Sequence, residues 1–251
     1  MPSTGPYPWL VLAEIALAAV TFAALCFIVA PYGRHTRAGW GPAVSARVGW
    51  VVMEAPASVL FIVFYLLGDH RVGLVPLIFL GLWQLHYIQR AFVYPFLMRG
   101  RRRMPLSIVG MAIVFNVLNA WVNARWISQY GRYEASWLAD PRFIIGAALF
   151  VGGYALNLQS DRILCRLRRP GTTGYSIPRG GGYRFVSNPN YLGEIVEWTG
   201  WAIATWSPAG LAFALYTIAN LAPRAMANHR WYRDTFDDYP PERKALLPFV
   251  I

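Results

Sequence analysis

Charge is scarce in this sequence. Only 14% of its 251 residues are Asp, Glu, Lys or Arg, where a soluble domain carries about a quarter. So little charge excludes a chain that turns its whole surface to water. Cysteine is nearly missing. Cys26 sits in an apolar run and Cys165 in a basic stretch. That excludes a disulfide framework and leaves no ligand set for zinc, so no metal is expected. Lysine occurs once, at Lys244, and every other basic residue is arginine. The bias has no structural reading and fits a GC-rich bacterial coding sequence. Internal repeats and low-complexity tracts are absent. So is a dinucleotide fingerprint, because Gly180-Gly181-Gly182 follows no strand and opens no helix. Any nucleotide would be held by membrane helices and loops. No basic segment precedes the first apolar run, so no cleavable signal peptide is expected.

What the chain has in quantity is apolar surface, with 56% hydrophobic residues and 11 tryptophans. An apolar run of about 20 residues spans a bilayer as a helix. Seven runs stand out, at roughly 8–30, 48–68, 73–97, 105–124, 142–161, 190–207 and 209–227. Only Ser207-Pro208 separates the last two, and proline disfavours helix at the residue before it. The expected fold is an all-α integral membrane protein, a single seven-span domain over 1–251.

The net charge of +11 could suggest a nucleic-acid partner, but no motif of that class is present. Basic loops on the cytoplasmic side account for it instead. With the N-terminus outside, the inward segments hold eighteen cations, and the outward ones hold four: Arg71, Arg125, Arg132 and Arg142. The C-terminus is then cytoplasmic. The longest inward loop is 162–189, and 228–251 form a polar, aromatic tail.

Ionisable groups inside spans are costly, and so are functional candidates. They are Glu14, Glu54, Arg90, Glu194 and Glu197, with His86 and Tyr87 beside Arg90. Glu54 precedes Pro56, which loosens the helix and can mark a cavity. It either faces a pocket or pairs with a helix neighbour such as Arg90. Tyr87 and Arg90 share a helix face, and a buried tyrosine hydroxyl needs a partner or a ligand. Glu194 and Glu197 follow Asn190 in the first turns of a helix, where negative charge suits the dipole. Glu14 is isolated, and a structural pairing is expected for it.

Segment 157–194 combines arginines, glycines and the helix start at Asn190. Arginine forks suit phosphates, glycine lets backbone approach a ligand, and a helix N-terminus favours anions. The segment suits a polyphosphate ligand at the cytoplasmic face, or equally a basic loop that touches only lipid headgroups.

The wording of the sequence is specific here. Asn157-x-x-Ser160-Asp161, Leu167-Arg168-Arg169-Pro170-Gly171 and Tyr175-x-Ile177-Pro178 resemble the steroid 5α-reductase family. So do Asn190-Tyr191-Leu192-Gly193-Glu194-Ile195-Val196-Glu197-Trp198 and the tail His229-Arg230-Trp231-Tyr232 with Asp238-Tyr239-Pro240-x-x-Arg243-Lys244-Ala245-Leu246. Glu54-x-Pro56 and His86-Tyr87-x-x-Arg90 extend the likeness into the first half. The resemblance implies a seven-span, NADPH-dependent reductase of 3-oxo-Δ4 steroids, in a bacterial homologue.

Carried over by matching position, Glu54 and Tyr87 would contact the steroid 3-ketone. Asn157, Asp161, Arg168, Tyr175, Asn190, Glu194, Arg224, Asn228 and Tyr232 would form the NADPH site, with Arg99 and Arg101 near the phosphates. Residues 1–124 would be mainly the substrate side and 142–251 mainly the cofactor side. The remaining partners would be membrane lipid, in a monomer of the bacterial inner membrane, with no nucleic acid. The chain departs from the pattern at three positions. Met53 stands for a glutamine, Ser176 for an arginine that Arg179 could replace, and Asn228 for a cofactor-contacting histidine.

Hydride addition to C5 of an enone pushes negative charge onto the 3-oxygen, which preorganised donors must stabilise. Tyr87 can donate its phenolic proton. Glu54 can donate only when protonated, the form that a low-dielectric span favours. C4 then takes a proton, with water as its source. Three alternatives remain: a sterol or enoyl reductase on another lipid enone, an isoprenylcysteine methyltransferase-like enzyme using S-adenosylmethionine, and a non-catalytic lipid-binding protein.

Overall fold

The computed structural model describes residues 5–98, 103–167 and 174–250. Helices dominate. They are α1 (Tyr7–Phe27), α2 (Ala46–Leu66), α3 (Leu74–Ile88), α4 (Tyr94–Leu97), α5 (Leu106–Arg125), α6 (Pro141–Leu167), α7 (Pro189–Thr205) and α8 (Pro208–Thr235). Strands β1 (Ala43–Ser45) and β2 (Arg103–Pro105) pair antiparallel and tie the start of α2 to the start of α5. This short ribbon was not expected from the hydropathy pattern. Three residues per strand are too few to give an alternating signal.

Proline sets several boundaries. Pro189 and Pro208 each stand at the first turn of a helix, where a missing N–H costs nothing. Between α7 and α8 the chain reverses through Trp206, which is left-handed at φ 44°. Ser207 then caps α8 by accepting the Gly210 N–H at 2.8 Å. Pro95 cannot bond back to Ala91, and Gln89–Val93 widen there into a π turn between α3 and α4. That turn carries Arg90. The expected span 73–97 is therefore an interrupted helix. The tail expected from 228 is helical as far as Thr235, because no proline or glycine stops α8 before Pro240.

Four helical segments are long and apolar enough to cross a membrane: Tyr7–Phe27, Ala46–Leu66, Leu106–Tyr130 and Pro141–Leu167. The other three expected spans fall short for visible reasons. The π turn divides one. α7 has 17 residues and carries Asn190, Glu194 and Glu197, and α8 carries Asn220, Pro223 and Arg224 within its apolar stretch. Trp9, Leu12 and Val20 on α1, Val59 and Val63 on α2, and Ile144 and Ile145 on α6 are all exposed. Apolar surface on this scale needs lipid, not water, and the chain is an integral membrane protein.

The core is aromatic. Trp83, Trp198, Trp201, Phe61, Phe79 and Phe150 are fully buried in one cluster. The indole N–H groups of Trp83 and Trp201 are satisfied by Ala57 O at 2.8 Å and Asn123 Oδ1 at 2.9 Å. The closest helix pair is α6 with α7, and glycine makes it possible. A Cβ at Gly153 would lie 2.4 Å from Glu197 N, and one at Gly200 would lie 2.4 Å from Phe150 N. Gly146 is as tight, 2.3 Å from Ala204 N. Such small-residue contacts let membrane helices touch backbone to backbone. They bring Asn157 and Asp161 of α6 beside Asn190 and Glu194 of α7.

Candidate active site

A cavity of ≈ 270 Å³ opens among α2, α3, α5, α6, α7 and α8 and the turn after α1. Its two walls differ in chemistry. One wall is apolar, built from Met53 on α2, Ile108, Ala112 and Phe115 on α5, and Phe213 and Tyr216 on α8. Phe115 and Tyr216 stack at 3.6 Å between ring centroids.

The other wall is a network of guanidinium groups, carboxylates and tyrosines. The π turn aims Arg90 at Asp161 Oδ2 (3.3 Å) and Glu194 Oε2 (3.6 Å), across Trp50 at 4.5 Å and Tyr94 at 5.1 Å. Asn190 Nδ2 donates to Asp161 Oδ1 at 3.1 Å. Asn157 Nδ2 donates to Asn190 O at 3.0 Å and sits 3.4 Å from Glu194 Oε2. Arg224 donates to Tyr191 Oη at 3.0 Å and lies over the Tyr32 ring at 4.5 Å. Arg34 donates to Tyr232 Oη at 3.0 Å and covers the Tyr232 and Trp231 rings at 4.3 and 4.7 Å. Arg34 Nη1 is buried with no hydrogen-bond partner among the described residues.

A chain of amides closes this end. Asn188 Nδ2 donates to the carbonyls of Ala225 and Ala245, both at 3.0 Å. Asn188 Oδ1 must then accept, and it takes Asn228 Nδ2 at 2.9 Å. Asn228 Oδ1 is thereby left to accept from His35 Nε2 at 3.0 Å. Burial holds His35 below its ordinary imidazole range, with the Asn228 bond opposing and Arg34 adding to the effect. Burial also pushes the Tyr183 phenol, on the loop before α7, well above its ordinary range.

A family model described as 3-oxo-5-alpha-steroid 4-dehydrogenase matches residues 102–251. Steroid 5-alpha-reductase DET2 of Arabidopsis thaliana is 44% identical over 234 residues, which cover 90% of this chain and 89% of that protein. The 3-oxo-5-alpha-steroid 4-dehydrogenase 1 of Bos taurus is 41% identical over 242 residues, 95% and 94% of the two chains. That of Homo sapiens is 43% identical over 221 residues, 87% and 85%.

The chain belongs to the 3-oxo-5-alpha-steroid 4-dehydrogenase family. In this family member Glu54 and Tyr87 line one cavity, from α2 and α3. Asp161, Asn190, Glu194, Arg224, Asn228 and Tyr232 line it as well. Asn157 does not reach the wall; it holds Asn190 and Glu194 from behind. Tyr175 also lies behind the wall, 4.9 Å from Trp231 and 5.4 Å below Arg34. Arg99, Arg101 and Arg168 lie outside the described residues. Arg179 pairs with Asp238 at 3.6 Å on the exposed surface and does not replace an arginine at the cavity.

Of the two readings open for Glu54, the pairing with Arg90 is not made: Arg90 is engaged by Asp161 and Glu194, and Glu54 lines the cavity and is met by Asn116 Nδ2 at 3.3 Å. The pairing expected for Glu14 is corrected. Glu14 is fully buried, and neither carboxyl oxygen has a hydrogen bond among the described residues. His86 is buried against Glu197, with Nδ1 2.9 Å from Oε1. The residues that sequence reasoning missed are Tyr32, Arg34 and His35 on the turn after α1, Trp50 and Asn116. Arg34 had been counted only as a cytoplasmic loop charge. Asn116, a lone carboxamide in an apolar span, was a signal of the same kind as Glu54.

Proposed function

We propose that this protein reduces the Δ4 double bond of 3-oxo-Δ4 steroids to 5α products, with NADPH as reductant. One observation carries the reading: Glu54 and Tyr87 line a single cavity together with apolar side chains and with Arg34, Arg90 and Arg224. A steroid suits the apolar wall, and an anionic dinucleotide suits the arginine-rich wall. The donor set fits NADPH. Arg34, whose buried Nη1 has no hydrogen-bond partner among the described residues, and Arg224 present cations to phosphate. Tyr32 and Tyr232 hold those two cations over their rings, and Asn190 and Glu194 offer amide and carboxylate contacts at the start of a helix. Arg99, Arg101 and Arg168 are assigned to the phosphate side by family position. Bound there, the nicotinamide supplies a hydride to steroid C5.

The protein's own part is electrostatic. As charge moves onto the 3-oxygen, Tyr87 Oη donates a hydrogen bond to it, and Glu54 in its protonated form donates a second. Preorganised donors of this kind are worth about 3–4 kcal/mol each in acyl-transfer enzymes. Packing keeps Tyr87 in place: its ring lies 4.9 Å from both Trp83 and His86. Water re-protonates C4.

Seven segments cross the bilayer, with α3, the π turn and α4 counted as one. The N-terminus is outside and the C-terminus inside, in a monomer of a bacterial inner membrane. The cofactor mouth then opens to the cytoplasm and the steroid enters from lipid.

The test is reduction by purified protein of testosterone, progesterone and a non-steroid enone with NADPH, with product identification. A 5α-3-ketosteroid is expected. Turnover of only the non-steroid enone would move the assignment to another lipid reductase. The absence of any NADPH oxidation would refute it.

A further inference from the structure

Asn116 sits on α5, 5% exposed, with its side chain at the cavity wall. Its amide nitrogen is 2.6 Å from the Met53 carbonyl oxygen and 3.3 Å from Glu54 Oε2. A backbone carbonyl can only accept, so Nδ2, not Oδ1, must face α2. That nitrogen has two hydrogens, one for each acceptor. Glu54 Oε2 is therefore obliged to accept. Any proton that Glu54 carries belongs on Oε1, which has no protein partner among the described residues. Among the described residues no other side chain donates a hydrogen bond to Glu54. Arg90 is turned to Asp161 and Glu194, and the Met53 side chain packs with Met104 and Val109.

We propose that Asn116 is a positioning residue that fixes the acidic proton of Glu54 on Oε1, so that the carboxyl meets the steroid 3-oxygen as a donor. Without it the two carboxyl oxygens are equivalent, and the group can present a lone pair to the ketone instead. The inference rests on Glu54 being a ketone donor, as proposed above. It adds a residue to that site and a reason for its place on α5.

A double-mutant cycle tests it. Asn116→Leu keeps the volume and removes both donors, and Asn116→Ala serves as a second variant should the first not fold. Steroid turnover should fall about ten-fold in either, on the scale of losing a supporting hydrogen bond to a reacting group, with the KM for NADPH unchanged. In a Glu54→Ala background, followed by product formation over long incubation, the same substitutions should cost less than about two-fold, because the group they act through is gone. Asn116→His, which restores one N–H donor, should recover part of the turnover. Equal losses with and without Glu54 overturn the proposal, because they describe a general packing role. Undiminished turnover in Asn116→Leu overturns it too. If the wild-type protein reduces no 3-oxo-Δ4 steroid, the functional reading itself fails, and this inference falls with it.

Discussion

The two walls of the cavity are held in place by different means. The arginine-rich wall rests on the α6–α7 contact, where glycines allow backbone to touch backbone, and on a dense web of hydrogen bonds from Asn157 to His35. The apolar wall rests on side-chain packing, and its polar connections at Glu54 run through Asn116 alone among the described residues. A charged, flexible dinucleotide needs fixed donors to hold it in one conformation. An apolar steroid asks for shape and for one well-placed polar contact at its ketone. The two halves therefore respond to substitution in different ways.

The largest effect is expected at the glycine contact. An added methyl at Gly153 meets backbone atoms that cannot move aside, so Gly153→Ala should cost about 3 kcal/mol or more and lower the yield of monodisperse protein. Size-exclusion profiles and thermal midpoints check this. Gly110 and Gly152 are helix glycines with open space around the added methyl, and Gly152→Ala should leave both readouts nearly unchanged. Tyr87→Phe comes next, with kcat reduced on the order of 100-fold and the KM for NADPH held. Arg224→Ala should do the reverse, raising that KM about ten-fold, roughly 1.4 kcal/mol, with kcat little changed. Steady-state kinetics on both variants would dissolve the contrast between the walls if the same parameter moved in each.

Smaller effects sharpen the picture away from the chemistry. Glu14 is a buried carboxyl without a hydrogen bond among the described residues, so Glu14→Leu should raise stability by about 1–2 kcal/mol. A lowered thermal midpoint would show that Glu14 has a function that packing does not reveal. His35 has a folded-state pKa below its ordinary 6.5. Its contribution is present above pH 6.5 and is lost as the pH falls through the folded value, because protonation then favours the unfolded chain. His35→Gln should flatten the decline of the thermal midpoint below about pH 6.5.

Much of this molecule can be read from its residues. The seven apolar runs foretell the helices, and Ser207-Pro208 marks the reversal between α7 and α8. The motifs around Asn157 and Asn190 point to two helix faces that the structure brings into contact. Hydropathy could not foretell the π turn at Arg90, because it depends on Pro95 withholding one hydrogen bond. Nor could it show that Arg34 and His35 fold back onto α8, since in sequence they are only a basic turn. Gly146 with Gly153, and Gly193 with Gly200, repeat at a spacing of seven. That spacing is a close-packing signal, which hydropathy does not register. The turn after α1 serves the arginine-rich wall, and Phe213 and Tyr216 of α8 serve the apolar one.

The central claim is that cofactor and steroid meet in one cavity beside Tyr87 and Glu54. Reduction of testosterone with NADPH deuterated at the transferable position of nicotinamide C4 tests it most directly, with the product analysed by NMR. A single deuterium at steroid C5, on the α face, is the predicted result. Label lost to water, or found at C3 with the carbonyl reduced to an alcohol, would contradict it.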